Sequence, residues 1–315
     1  MNKIPVILDT DPGVYVALAI MLALSSPELD VLGLCTVSGN VPLDVGTRNA
    51  LGLLAFLGRV DVPVFVGADR PLQRDPVFAT EVHGAGGMGR AILPVSTADA
   101  QEDAVGFLVE TLSARSGEVV VIAVGPLTNL ALAEQREPGV LKKAKQVIVM
   151  GGSIAEPGNS SPTAEFNFYA DPHAAQLLIR SGANVVLVPL DATHQVMLRA
   201  ADIETQIVPL ATERSQFVVD AVHNVLALYE RGGREPVVYL HDPLAVGMAI
   251  APALLGVETV PVDVETEGVL TLGQVVADLR VAPSKGYRGI PTDCVMKVNA
   301  EGFLSLFLDR VLELR

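Results

Sequence analysis

Ile4-Pro5-Val6-Ile7-Leu8-Asp9-Thr10-Asp11-Pro12-Gly13 is a short apolar run closed by two carboxylates one residue apart, with a Pro-Gly turn behind them. From about Val14 to Ser26 the chain is apolar at helical spacing. Strand, acidic turn and helix therefore follow one another. In a parallel α/β sheet such a turn lies at the carboxyl edge of the strand, where ligands bind. Side chains alternate with period two, so Asp9 and Asp11 project to one side of an extended backbone. Two carboxylates this close are costly unless a cation or a shared proton relieves them. A lone Asp-x-Asp can equally be a helix cap, since Asp is common there and Pro and Gly mark turns. The rest of the chain has to decide between the two.

Outward from this turn, Val/Ile/Leu runs recur with helical segments between them. Strands are expected at Leu29 to Val37, Val62 to Val66, Glu118 to Val124, Gln146 to Met150 and Asn184 to Leu190. The intervening segments read as helices, which predicts a parallel sheet buried on both faces. After Ala200 the pattern turns mainly helical, with a mixed strand region from Leu255 to Val281. No repeat, low-complexity tract or linker divides the chain. The expectation is one Rossmann-like α/β domain over residues 1–315, with a mostly parallel sheet, helices on both faces and a mainly helical C-terminal part. Asp9, Asp11, Asn40, Thr128, Asn129, Met150 and Asp191 all fall just past strand ends, which predicts that they converge on one crevice.

Composition narrows the partners. The chain has 315 residues, 50% of them hydrophobic, and a net charge of -14 from 22 basic and 36 acidic residues. An acidic field does not draw in nucleic acid or an anionic membrane; it suits a neutral or cationic small molecule. No apolar run reaches the ~18 residues of a membrane span. No signal peptide is read at the start, and Cys35 and Cys294, both inside apolar runs, read as buried thiols of a reducing compartment. A cytoplasmic protein is expected.

The long segment from Gly158 to Pro172 carries Asn159, Glu165 and Asn167, groups of the kind that grip sugar hydroxyls, and Asp171-Pro172, which reads as a helix cap with Pro at the first helical position. His241-Asp242-Pro243 opens another helix after an apolar run, and His83-Gly84 sits in a glycine-rich stretch; His173, His194 and His223 carry no signal beyond ordinary structural histidines.

Taken in order, Asp9-Thr-Asp-Pro-Gly13, Ser38-Gly-Asn40, Thr47-Arg-Asn49-Ala, His83-Gly84, Gly125-Pro-Leu-Thr-Asn129, Met150-Gly-Gly152, Ala164-Glu-Phe-Asn167 with Asp171-Pro172, and His241-Asp242-Pro243 resemble the inosine–uridine preferring nucleoside hydrolases, from about residue 4 to residue 300. The ordered set is specific where each motif alone is weak. The resemblance implies a calcium-dependent N-ribohydrolase in which calcium holds the ribose diol and a water, and an aspartate activates that water. Carried over, Asp11 matches the metal-binding general base. The Thr128 carbonyl and Asp242 match further metal ligands. Asn159, Glu165 and Asn167 match ribose-binding positions, with Met150 near the ribose and Asn40 at the metal and sugar end. His241 matches the histidine that protonates the leaving base in one subgroup, with His83 near the base and Tyr229 along the base pocket. A small ribonucleoside is the implied substrate, and a homodimer or homotetramer the implied assembly.

One departure stands at the organising turn. The family pattern after Asp-Pro-Gly is an apolar residue, two adjacent aspartates and alanine; here the stretch reads Val14-Tyr15-Val16-Ala17. The first missing aspartate binds ribose hydroxyls in the family and the second is a calcium ligand. Calcium takes 6–8 oxygen ligands, with affinity set largely by carboxylate count, whereas Tyr15 offers a neutral phenol and Val16 nothing. The expectation is the hydrolase fold with weak calcium affinity and low or absent turnover; the alternative is a silent relative that binds a nucleoside or ribose. A phosphatase with Asp9 as nucleophile would need Thr or Val where Gly13 stands, and leaves the other motifs unexplained.

Overall fold

The structure is a computed structural model that describes residues 3–280, 286–287 and 289–313. The expected limit at Val281 of the mixed strand region lies just outside them. Among the described residues the main sheet has nine strands. They are β1 (Ile4–Thr10), β2 (Leu29–Thr36), β3 (Val64–Val66), β4 (Val120–Ala123), β5 (Gln146–Met150) and β6 (Val185–Val188), followed later in the chain by β9 (Leu255–Val264), β10 (Val275–Ala277) and β11 (Ile290–Val298). Two short strands, β7 (Met197–Arg199) and β8 (Val237–Tyr239), pair antiparallel apart from it.

Across the main sheet the order is β10-β9-β11-β6-β5-β4-β1-β2-β3. The run from β3 to β11 is parallel. β9 joins it antiparallel, and β10 pairs antiparallel to β9. The order 3-2-1-4-5-6 is that of a dinucleotide-binding sheet, and its direction of growth reverses between β1 and β4. The Asp-x-Asp turn leaves β1 at that switch point, so the crevice forms over it.

Burial on both faces follows from the alternation of side chains. Val6, Leu8, Ile122, Ile148 and Val186 enter one apolar core, while Ile7, Val121, Val147, Val149 and Leu187 enter the other. The first core is closed by the helices Val14–Leu24, Glu213–Arg231, His241–Ile250 and Ala300–Val311; the second by Ala104–Ala114, Thr128–Arg136 and Pro172–Arg180. Helix Val14–Leu24 is apolar almost all round and is buried accordingly. It packs along His241–Ile250, bringing the starts of two distant segments together above the turn.

The C-terminal third holds the expected helices, and β9 and β10 fall within the expected mixed strand region; β11 is a further strand beyond it. β11 is not legible as a strand in the sequence: it alternates apolar residues with Pro291, Asp293 and Lys297, and its partners are strands β6 and β9, supplied from far away in the chain.

Candidate functional site

A cavity of about 760 Å³ opens at the carboxyl edge of the sheet. Its floor is polar. Asp11 is fully buried; its Oδ2 accepts the Asn40 backbone N–H at 2.7 Å, and the Asn40 side-chain amide donates to the Asp11 carbonyl at 3.3 Å. Asp11 Oδ1 is buried without a partner. The fit around this carboxylate is close: a Cβ on Gly39 would lie 2.1 Å from Asp11 Oδ2, so only glycine lets the β2 turn pass there. Asp242, in the first turn of His241–Ile250, lines the floor, and no side-chain hydrogen bond reaches it among the described residues. Burial, and then the charges of Asp11 and Glu165, push its carboxyl well above the ordinary range; burial does the same to Asp11.

Glu165, Asn167 and Asn159 reach the floor from the long loop, and the loop is built around them. Glu165 caps the helix Phe166–Ala170: its Oε1 accepts from Asn167 N (2.8 Å), and its Oε2 from Gly152 N (2.9 Å) and Phe168 N (3.2 Å). Burial outweighs those bonds and pushes its carboxyl up to about 7. The Asn167 amide donates to the carbonyls of Met150 (3.0 Å) and Val124 (3.3 Å), joining the loop to the ends of β5 and β4. Asn159 Oδ1 accepts from Phe166 N at 2.9 Å. Asn40, Met150, Asn159, Glu165 and Asn167 all line the cavity, as the sequence predicts.

Four strand-end residues behave otherwise. Asp9 lies beneath the cavity: its Oδ1 accepts from Asn129, whose amide also holds the Thr36 carbonyl and the Ala68 N–H, so the pair ties strand ends together. Burial lifts the Asp9 carboxyl to about 8. Thr128 turns its hydroxyl to Asp171 (2.8 Å), away from any ligand, which leaves only its backbone as a donor. Asp191 accepts the N–H groups of Ile154, Ala155 and Glu156 at 2.8–3.2 Å and anchors the long loop rather than lining the cavity. Asp171 is the expected cap, accepting from Ala174 N.

The opposite wall is aromatic. Tyr15 stands edge-on to His83 and His241, with ring centroids 5.3 and 5.1 Å apart. Tyr239 continues the wall towards His241, His194 and Tyr229. His241 and His83 are buried, which lowers their ring pKa to about 3 and about 4; neighbouring histidines add to the effect at His241. Both rings are therefore neutral at neutral pH in the free protein. Tyr229 lines the cavity, as expected. His194 and Tyr239, which also line it, are not singled out by the sequence. Tyr239 had a signal: it stands two residues before His241, at strand spacing. His194 had none.

Val16 is fully buried and belongs to the first apolar core, and its hydrocarbon offers no ligand atom. That bears on a cation. The partnerless Asp11 Oδ1 and the Asp242 carboxylate are the expected ligand oxygens found at the floor; Thr128, whose carbonyl the resemblance adds, does not line the cavity. Among the described residues no three His, Cys, Asp or Glu side chains gather into a metal-binding group. Against the 6–8 oxygens calcium takes, these residues do not fit a tightly held ion.

Residues 6–305 match the family model described as inosine-uridine preferring nucleoside hydrolase. The chain belongs to that family. Over 98% of its length it is 36% identical to a probable uridine nucleosidase 2 of Arabidopsis thaliana, covering 97% of that protein. It is 34% identical to the inosine-uridine preferring nucleoside hydrolase of Crithidia fasciculata, with 96% of each chain covered. A solved plant nucleoside hydrolase superposes with a TM-score of 0.90 at 33% identity, covering 98% of this chain and 99% of the other. These nucleoside hydrolases share the whole fold, so the expected architecture stands.

Proposed function

We propose that the cavity binds a ribonucleoside and that hydrolysis of its N-glycosidic bond, the reaction of the family, is impaired in this chain. The observation that carries the reading is the convergence of Asn40, Asn159, Glu165, Asn167 and Asp242 on one floor, with Asp11 buried behind Asn40 and bonded to it, opposite a wall of rings. A polar floor suits a sugar and an aromatic wall suits a base. Asn40, Asn159, Glu165, Asn167 and Met150 are assigned to the ribose, and His83, Tyr229 and His241 to the base.

Asp11 is assigned as the acceptor of a proton from the attacking water, through its partnerless Oδ1. A calcium ion at Asp11, Asp242 and the Thr128 carbonyl would supply the charge that lets a bound water ionise. With Tyr15 and Val16 where two carboxylates would complete such a site, we propose that calcium is held weakly and that turnover suffers. His241, neutral in the free protein, is assigned to the leaving base and has to gain a proton before it can give one. The proposal includes a cytoplasmic homodimer or homotetramer, whose assembly light scattering on the purified protein checks.

The test is hydrolysis and binding of inosine and uridine, with and without calcium, by the wild-type chain and by a Tyr15→Asp/Val16→Asp variant. Nucleoside binding by both, with calcium-dependent turnover appearing mainly in the variant, is expected. Full turnover by the wild-type chain, or no binding by either, contradicts it.

A further inference from the structure

Two of the cavity histidines, His83 and His241, are held through Nδ1, by partners of different kinds. His241 Nδ1 lies 2.7 Å from the Thr193 hydroxyl, which can give or take a hydrogen, so either neutral tautomer satisfies it. His83 Nδ1 lies 3.0 Å from the backbone nitrogen of Val14, and an amide N–H can only donate. His83 Nδ1 must then be bare, and the neutral ring carries its hydrogen on Nε2.

The arrangement has a cause in the fold. Val14 opens the helix Val14–Leu24, and the first N–H groups of a helix have no partner within it. Gly13 offers no side-chain cap, so His83, arriving from 69 residues away, supplies the acceptor. The approach depends on Gly13: a Cβ there would lie 2.8 Å from His83 Nδ1. The ring lines the cavity, and among the described residues nothing accepts a hydrogen bond from Nε2. Tyr15 packs edge-on against both histidines. Burial, which pushes the ring down to about 4, agrees with a neutral imidazole.

We infer that His83 is a specificity-determining residue of this site: a fixed Nε2–H donor that selects a base presenting a bare nitrogen or carbonyl oxygen to it, and not a carrier of protons. The inference rests on the reading of the cavity as a nucleoside site. No bond to hydrogen breaks at His83; its proton stays on Nε2 while the ligand is bound.

Two measurements on the whole protein test it. Nitrogen-15 NMR of histidine-labelled protein at pH 7 reads the tautomer directly, with a hydrogen on Nε2 and a bare Nδ1 expected for His83. A hydrogen on Nδ1 overturns the inference even if nucleosides bind. In Gly13→Ala, the Val14 bond is displaced and the His83 signal is expected to move to a mixture of tautomers; an unchanged signal counts against the Val14 amide as what fixes the ring. Calorimetry then compares inosine with its 3- and 7-deaza analogues, each of which replaces one bare ring nitrogen by carbon, and with purine riboside, which lacks the carbonyl oxygen. One analogue is expected to bind the wild-type chain about tenfold more weakly than inosine, the scale of one hydrogen bond, and to show no such deficit in His83→Phe. Equal deficits in both proteins overturn the selective role. If the wild-type chain binds no nucleoside at all, the functional reading fails and the ligand assigned to His83 goes with it, whereas the tautomer is still decided by NMR.

Discussion

The floor and the wall of the cavity solve opposite problems. Around the floor, Asp11, Asp242 and Glu165 bring three carboxyl groups into a buried space that disfavours their charge, and one oxygen of Asp11 is left with nothing to bind. On the wall, Tyr15, His83 and His241 pack edge against face, and both imidazole Nδ1 atoms are satisfied by the protein. The wall is complete without a ligand; the floor is not. Tyr15 and Val16 lie at the junction, on the helix that leaves the floor, and what they bring belongs to the wall and the core. One turn of helix thus moves the site from charge towards packing.

The largest change expected comes from returning charge to that turn. Tyr15→Asp/Val16→Asp is expected to raise nucleoside turnover in calcium by about 100-fold or more, the scale of restoring one electrostatic contact to a transition state. Initial rates with inosine and uridine measure it, and unchanged rates would show that the missing carboxylates are not the defect. Removing the wall residue instead, by Tyr15→Ala, deletes two edge-to-face contacts of about 0.5–1.5 kcal/mol each. A fall in nucleoside affinity of about tenfold is expected by calorimetry; no change would mean that the base does not sit against this wall.

Smaller effects separate floor from wall in the ligand-free protein. Glu165 is raised to about 7 and Asp9 to about 8, so each favours folding in its protonated form. Their contribution is fully present below the unfolded carboxylate range and is lost as pH rises through 7 and 8. The thermal midpoint in chelator is therefore expected to fall from pH 6 to pH 8.5, and Glu165→Gln to flatten that fall. A midpoint that rises over the same window would place the burden elsewhere. Smallest of all, Tyr15→Phe keeps the ring and loses only the hydroxyl, and nucleoside affinity is expected to stay within about twofold, a change below one hydrogen bond.

Much of the fold was legible because parallel strands buried on both faces write themselves as runs of Val, Ile and Leu. β11 escaped because its alternation with Pro291, Asp293 and Lys297 reads as irregular, and its pairing is long-range. The floor was legible from strand ends and the ordered motifs. Strand ends alone overstated it: Asp191 and Asn129 look alike in sequence to Asn40, and only the fold shows that their polar groups are consumed by backbone amides and by Asp9. The wall was half legible. His83, His241 and Tyr229 carried resemblance and Tyr239 stands two residues before His241, whereas His194 joins them only through tertiary packing.

The direct measurement is a calorimetric titration of the ligand-free protein with calcium. Weak binding, well above the micromolar range, or no heat at all, is the result expected of a floor left with two carboxylate ligands. Saturable binding of one calcium per chain at low-micromolar concentration or tighter would contradict it.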